Sequence, residues 1–538
     1  METSHVCTSL CHAAPSPNGV YVASLTASRF LVRETATHDI FRSWPLPSAH
    51  NTRNTLIRWS ADSARVVLAD SDNTRVYDLQ DVGWLAHINN GSGGMGKIVS
   101  TEFGGTRNEV LLFSEFGARV TVWNVDSGRS VEIRDPKFTK QGRGWDYRPV
   151  SSCGSSGNSV FALLSRVGAQ DVVTLHAPAT YQVLETTVLP TVDAQGLKWS
   201  PDGKWFAVWE AASAGYSISV YTADGHVYRT YSGQDVEADV QGLGIKNVEW
   251  SLRGDFLAVG GCDYRVTLLS TRTFSPAVFL DHTRTVQLPN TPVYTELVSG
   301  TSRSYQLASQ PISPPTASIA APFSIAAPSP SLAVGISLVA FNKSGTLIAT
   351  RNDTMPTTVW FWDLSTLSPH SILIQHSPVK SLLWHPTRVD LLLIQCVGDE
   401  TILYLYNVAS QVEANPPTLL NVPLPHSSSD GKLEAKWLST SAESRPVLLV
   451  GNVRNWLLTY PDGKEPILSF DRSHNWDDAD QQEICDESED SLFNILTGRT
   501  PLPVIDRNDR DVKSREEFDD SSERLDDTFR EKKRVGVM

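Results

Sequence analysis

Leu243–Ser270 reads LGIKNVEWSLRGDFLAVGGCDYRVTLLS. It holds three short apolar runs, Ile245–Trp250, Phe256–Val259 and Val266–Leu269. Ser251-Leu252-Arg253-Gly254 separates the first two, and Gly260-Gly261-Cys262-Asp263-Tyr264 the last two. Alternating apolar residues bounded by Gly and Asp turns predict antiparallel strands with tight connections. So small a meander cannot bury both of its faces alone. It requires neighbours of the same kind.

Those neighbours are present. Leu197–Val208 repeats the opening as LKWSPDGKWFAV, with Ser217–Thr222 as its third run. The same grammar recurs at Ile57–Ala69 with Arg75–Leu79, at Leu338–Ala349 with Thr358–Leu364, and at Val379–Ile394 with Ile402–Val408. Ser16-Pro17-Asn18-Gly19 opens a first copy, and weaker copies end near Val125, His176 and Tyr460. The residue pairs that close the third runs begin at Tyr77, Trp123, Leu175, Tyr221, Leu269, Trp362, Tyr406 and Tyr460. Their recurrent step in the upper forties is close to that of a WD-repeat blade, and Trp362-Asp363 is the literal Trp-Asp ending. The expected fold is therefore all-β: a WD-repeat-like β-propeller of about nine four-stranded modules over residues 6–470. Nine modules could close as one large ring, or as a seven-bladed ring carrying two extra blades. The N-terminus leaves little room for an outer strand to complete the last blade, so side-chain packing is expected to close the ring.

Two segments break the pattern. Ser299–Pro330 is rich in Ser, Pro, Ala and Thr, and is expected to be a disordered insertion. The tail from Asp471 to Met538 carries 20 acidic and 11 basic residues, so −9 of the net −14 charge lies there. It reads as an acidic, mostly disordered extension whose Leu492–Leu496 island could dock on a partner or on the ring. Ser313-Pro314, Ser329-Pro330 and Thr500-Pro501 fit proline-directed kinases.

Composition excludes several classes. No basic face is evident to neutralise nucleic-acid phosphates. No stretch reaches eighteen apolar residues, and METSHVCTSLCHAAP lacks the pattern of a signal peptide, so neither a membrane nor a secretory route is expected. Six cysteines at 7, 11, 153, 262, 396 and 485 form no zinc-ligand set and read as small buried hydrophobes. Gly91-Ser92-Gly93-Gly94-Met95-Gly96-Lys97-Ile98 has phosphate-loop spacing, but Ile98 stands where the magnesium-binding hydroxyl belongs and no helix follows. It reads as a loop between modules. No catalytic, cofactor or metal site is expected.

Residues with a structural role can be named. Trp59, Trp199, Trp250 and Trp384 share the slot before a turn and are expected to anchor the blades. Asp263 lies in the second turn of its module, where WD blades use an Asp as hydrogen-bond acceptor. His376 stands where such blades often place a His that braces the strand turn.

Leu243-Gly244-Ile245-Lys246-Asn247-Val248-Glu249-Trp250-Ser251, with Phe256–Gly260 and Asp263–Val266, resembles the WD repeat-containing protein 8 family. The Leu-Gly-Ile-Lys opening is the specific piece; the Trp-Ser-Pro-Asp-Gly turn is common to many WD proteins. The resemblance covers residues 6–470, while the insertion and the acidic tail depart from the compact form of the family. It implies a non-enzymatic scaffold of the cytoplasm and cytoskeleton, at centrosomes or spindle pole bodies. The implied partners are a coiled-coil microtubule-anchoring protein, a minus-end-directed kinesin and the γ-tubulin complex. The alternative reading is a translation-initiation-type propeller that binds ribosomal subunits or initiation factors.

Overall fold

Ile245–Trp250, Phe256–Gly261 and Arg265–Ser270 form three antiparallel strands, and Pro276–Asp281 adds a fourth on the outer side. The Ser-Pro-Asp-Gly turn of the preceding module shows why the repeat folds locally. Ser200 Oγ accepts the Trp205 amide at 3.0 Å and donates to Asp202 Oδ1 at 2.6 Å. Gly203 closes the turn at φ +66°, a left-handed conformation that glycine adopts without strain.

The structure is a computed structural model. It describes residues 1–464 apart from 48–49, 52–54, 90–95, 150–158, 234–242, 287–290, 301, 317–333, 399–400, 409–415, 426–431 and 442–443. Among the described residues the strands gather into nine sheets. They are numbered here as blades 1 to 9, over 14–45, 56–89, 98–134, 145–188, 194–231, 245–281, 336–374, 379–421 and 434–460. No helix of the described residues is long and apolar enough to cross a membrane.

Each blade is buried on both faces. In Arg65–Ala69 every residue is buried: Val66 and Leu68 pack against blade 1, Val67 and Ala69 against blade 3. Successive side chains of a strand point to opposite faces, so a sheet clasped between two others reads as a continuous apolar run. The core is consequently divided into clusters, one at each junction from blades 1–2 round to blades 8–9. A ninth cluster joins blade 9 to blade 1 through Trp456, Leu449, Val22 and Ala13. The nine blades thus close as a single ring. The seven-plus-two arrangement is excluded.

Three expectations are corrected. The ring starts before residue 6: Glu2–Thr3 and Cys7–Thr8 both pair antiparallel with Asn455–Tyr460 of blade 9. Main-chain pairing across the termini therefore closes the ring, in addition to side-chain packing. Two-residue strands are too short to leave an alternation in the sequence, which is why the N-terminus reads as bare. Third, the segment expected to be disordered from Ser299 begins with a strand, Ser302–Leu307, which forms a hairpin with Val293–Ser299. Val293–Ser299 pairs in parallel with the outer strand of blade 7, making that sheet six-stranded. Residues 317–333 and 465–538, which include the rest of the insertion and the acidic tail, lie outside the described residues.

Candidate functional site

Strands of a blade alternate in direction, so one face of the ring collects the starts of first and third strands and the ends of second and fourth strands. On this upper face a cavity of about 910 Å³ opens across blades 4 to 7. Its walls include Arg143, Asp193, Trp209, Leu243, Lys246 and Cys262. Leu243 and Lys246 belong to the Leu-Gly-Ile-Lys opening that carries the family resemblance. Leu243 is 67% exposed at the rim.

The rim is held by ion pairs. Lys246 Nζ bonds the Asp353 carboxylate and donates to the Val334 carbonyl at 2.9 Å. Burial pushes the Asp353 carboxyl up, but Lys246, Ser337 and Arg351 outweigh it and leave the pKa below the usual range. On the opposite wall Lys137 Nζ lies 2.9 Å from Asp171 and 2.8 Å from Asp193. Glu210 Oε1 accepts the amides of Val192 at 2.8 Å and Asp193 at 2.6 Å, which fixes the loop that displays exposed Val192. Each of these charges is committed to a partner and braces the rim.

Beyond the cavity, on blade 3, stands Phe116. It is 93% exposed and holds φ 62°, ψ 14° between the strands Glu109–Ser114 and Arg119–Asn124. A left-handed aromatic residue is strained by roughly 1–3 kcal/mol, and such strain persists where the surroundings enforce it. The Glu115 amide is tied to the Lys97 carbonyl at 2.8 Å, and Ser114 Oγ accepts the Arg119 amide at 3.0 Å. Phe116, Val167, Val192 and Leu243 form an arc of exposed apolar side chains on the upper face. An arc of this kind beside a rimmed cavity suits protein docking, where a few apolar anchors dominate.

The residues singled out from the sequence lie elsewhere. Trp59, Trp250 and Trp384 end the first strands of their blades, and each donates its Nε1–H to the first strand of the preceding blade. The acceptors are the carbonyls of Ala14 at 2.9 Å, Lys198 at 3.2 Å and Ala340 at 2.9 Å. Trp437, which the sequence reading passed over, does the same to Leu383 at 2.8 Å. Trp199 is buried in the same slot, yet its Nε1 has no hydrogen-bond partner among the described residues; its amide instead meets Asp146 Oδ2 at 3.1 Å. Asp263 Oδ1 accepts the Arg265 amide at 3.0 Å, and burial raises its pKa.

His376 is corrected. It is exposed, and among the described residues its backbone N–H donates to Glu296 at 2.8 Å while its ring makes no bracing contact. The bracing histidine is His282. Its Nδ1 lies 3.0 Å from the Tyr264 carbonyl, which can only accept, so Nδ1 carries the proton. Burial holds its pKa down at about 4, so the ring is neutral and Nε2 accepts from Thr350 at 2.8 Å. Thr350 in turn accepts from Trp362 Nε1 at 2.9 Å. His282 follows the outer strand of blade 6 as His376 follows that of blade 7. The oversized connection before Ile336 hid that correspondence.

Of the phosphate-loop-like run, 91–95 lie outside the described residues, and Ile98 opens a strand. Burial raises the thiols of Cys7, Cys11 and Cys262, Cys11 to about 12, which disfavours the reactive thiolate. Among the described residues no three His, Cys, Asp or Glu side chains cluster as a metal site.

No protein-family model matches the chain. WD repeat-containing protein WRAP73 of Mus musculus is 28% identical over 430 residues, which cover 75% of this chain and 86% of that protein. An uncharacterized WD repeat-containing protein of Schizosaccharomyces pombe is 25% identical over 461 residues, covering 81% and 88%. Among solved structures, that of a eukaryotic initiation factor covers 78% of this chain and 90% of its own, at 10% identity and a TM-score of 0.48. From the folded ring and the two WD-repeat relatives, the chain is a WD-repeat β-propeller scaffold that resembles the WD repeat-containing protein 8 family.

Proposed function

We propose that this ring is a non-enzymatic scaffold that binds a coiled-coil microtubule-anchoring protein and brings it to the spindle pole body or centrosome, in support of minus-end anchoring. A minus-end-directed kinesin and the γ-tubulin complex are further proposed members of the assembly. The observation that carries the reading is the similarity to WRAP73 along 430 residues, most of the ring. The geometry supports it in kind: Leu243, Ile245 and Lys246 of the Leu-Gly-Ile-Lys opening, the more specific piece of the resemblance, line the upper-face cavity beside the apolar arc. A rigid ring with apolar knobs and a paired-charge rim suits recognition of another protein's surface.

The test isolates the tagged full chain from dividing cells and follows the coiled-coil partner by microscopy. Co-isolation of the partner, with its loss from poles in cells lacking the ring, is the expected result. Ribosomal proteins in the eluate, with the partner still at the poles, would replace this reading with a translation scaffold.

A further inference from the structure

We propose that Ser313 is a phosphoacceptor site for a proline-directed serine/threonine kinase, placed on the connection between blades 6 and 7. Such a kinase needs a hydroxyl followed by proline on an accessible stretch of extended chain that is not committed to a sheet. Most Ser-Pro and Thr-Pro pairs of the described ring fail on that ground. Ser16 and Ser200 are buried inside blade turns, where their hydroxyls are consumed by Asn18 and Asp202. Ser275, Thr291, Ser368 and Ser377 are half-buried at strand ends or within strands.

Ser313 alone of these is exposed, and it lies outside every strand. It is not adrift, however. Ile312 pairs with Val286, whose amide donates to the Ile312 carbonyl at 2.8 Å, and Ile312 packs on the core between blades 6 and 7. Pro314 on the other side is buried. The Ser313 hydroxyl is exposed, 3.2 Å from the Thr285 hydroxyl, and the chain beyond Ile312 must lift from the ring for a kinase to seat Pro314.

The step is an ordinary phosphoryl transfer. Ser313 Oγ attacks the γ-phosphorus of magnesium-bound ATP, the bond to the β-phosphate oxygen breaks, ADP leaves, and the hydroxyl proton passes to the kinase's base. The product carries close to two negative charges and three acceptor oxygens. They arise beside the Thr285 hydroxyl and one residue from Arg284, whose Nη2 now donates to Tyr264 at 3.2 Å. This connection leaves the outer strand of blade 6 through His282, on the same upper face as the cavity. The modification writes charge onto that face without touching a blade. The inference concerns the site itself and stands whether or not the ring serves a spindle pole.

The experiment treats the purified full chain with a proline-directed kinase and ATP, and maps phosphopeptides by mass spectrometry. A free peptide spanning residues 308–318 serves as the positive control. The expected result is phosphate on Ser313 and none on Ser16, Ser200, Ser275, Thr291, Ser368 or Ser377, with the Ser313 peptide silent in Ser313→Ala. A circular dichroism spectrum of Ser313→Ala matching the unaltered chain shows that the loss is not one of folding. An unmodified Ser313 in the full chain while the free peptide is phosphorylated would overturn the proposal. So would equal labelling of buried Ser16 and Ser200, because the signal would then come from unfolded chain.

Discussion

Two junctions of the ring hold by different means. Between blades 9 and 1, main chain meets main chain: Glu2 and Thr3 lie opposite Tyr460 and Thr459, and Cys7 and Thr8 opposite Trp456 and Asn455. Packing there is close enough that a Cβ on Gly19 would sit 2.1 Å from the Ser439 carbonyl oxygen. Between blades 6 and 7 the link is a side-chain relay, Trp362 to Thr350 to His282 to the Tyr264 carbonyl, fully buried. The seam relies on two-residue strands whose ends can fray, while the relay relies on groups that have no water to fall back on. The seam should open locally at low cost once shortened. The relay should resist opening but punish any missing partner.

Removing residues 2–9 breaks the comparison at its weaker side. It strips several main-chain hydrogen bonds, at about 1 kcal/mol net each, and uncovers Trp456 and Leu458. The expected loss is on the order of 5 kcal/mol, read as a fall in the thermal midpoint. Hydrogen exchange should quicken first in Asn455–Tyr460. Unchanged protection of that strand would mean that packing alone closes the ring.

Thr350→Val tests the other side. The swap nearly keeps the shape but removes the hydroxyl that accepts from Trp362 and donates to His282, leaving two buried nitrogens without partners. At about 1–3 kcal/mol for each of the two orphaned groups, the cost should be about 2–6 kcal/mol. Urea unfolding measures it, and a loss below about 0.5 kcal/mol would show that the relay carries no weight.

How much of this was legible follows from the size of the signal. The turn after Trp199 and the third-strand endings from Tyr77 to Tyr460 announce themselves because each repeats a chemical necessity at a recurrent step, broken once between Leu269 and Trp362. The Trp slot was legible too, although Trp437 was missed because neither the serine that follows Trp59, Trp199 and Trp250 nor the His-Pro that follows Trp384 comes after it. The seam strands were not, since two residues cannot express an alternation. His282 was hidden by the hairpin Val293–Leu307 and the Ser/Pro-rich run inserted between it and its blade. Phe116 left no trace at all: a lone apolar residue in a turn has no period, and a positive φ is a property of backbone placement.

Acid should act on both junctions in one direction. His282 and His38 are each held at about 4, burial being the main cause, against 6.5 for an unburied histidine. His38 lies at the seam, its Nε2 3.1 Å from the Tyr460 hydroxyl. The unfolded chain therefore takes up protons first as pH falls. The stability due to these neutral rings is complete above pH 6.5 and is lost as pH falls toward 4. For His282, going from pH 7.5 to 5.5 should cost about 1–2 kcal/mol. His282→Gln, with no proton to gain, should flatten the slope over that window; an unchanged slope would remove His282 from the account.

The smallest effect on stability should come with a large one on binding. Phe116 packs on nothing, being 93% exposed, so its removal forfeits little burial energy. Its φ of 62° suits glycine, so Phe116→Gly relieves backbone strain while loosening the unfolded chain. These opposing terms should leave stability within about 1 kcal/mol of the parent, with the sign set by how much strain the loop stores. Both junctions lie away from this turn, and their hydrogen exchange should not change. If the upper face docks the coiled-coil partner, an exposed aromatic that gives up its water on binding is the kind of side chain that dominates such an interface. Binding to the purified partner, followed by calorimetry, should then weaken at least about tenfold, or 1.4 kcal/mol. Equal affinity of Phe116→Gly and the parent, at equal stability, would move the docking surface off blade 3 and leave the strained turn without a function.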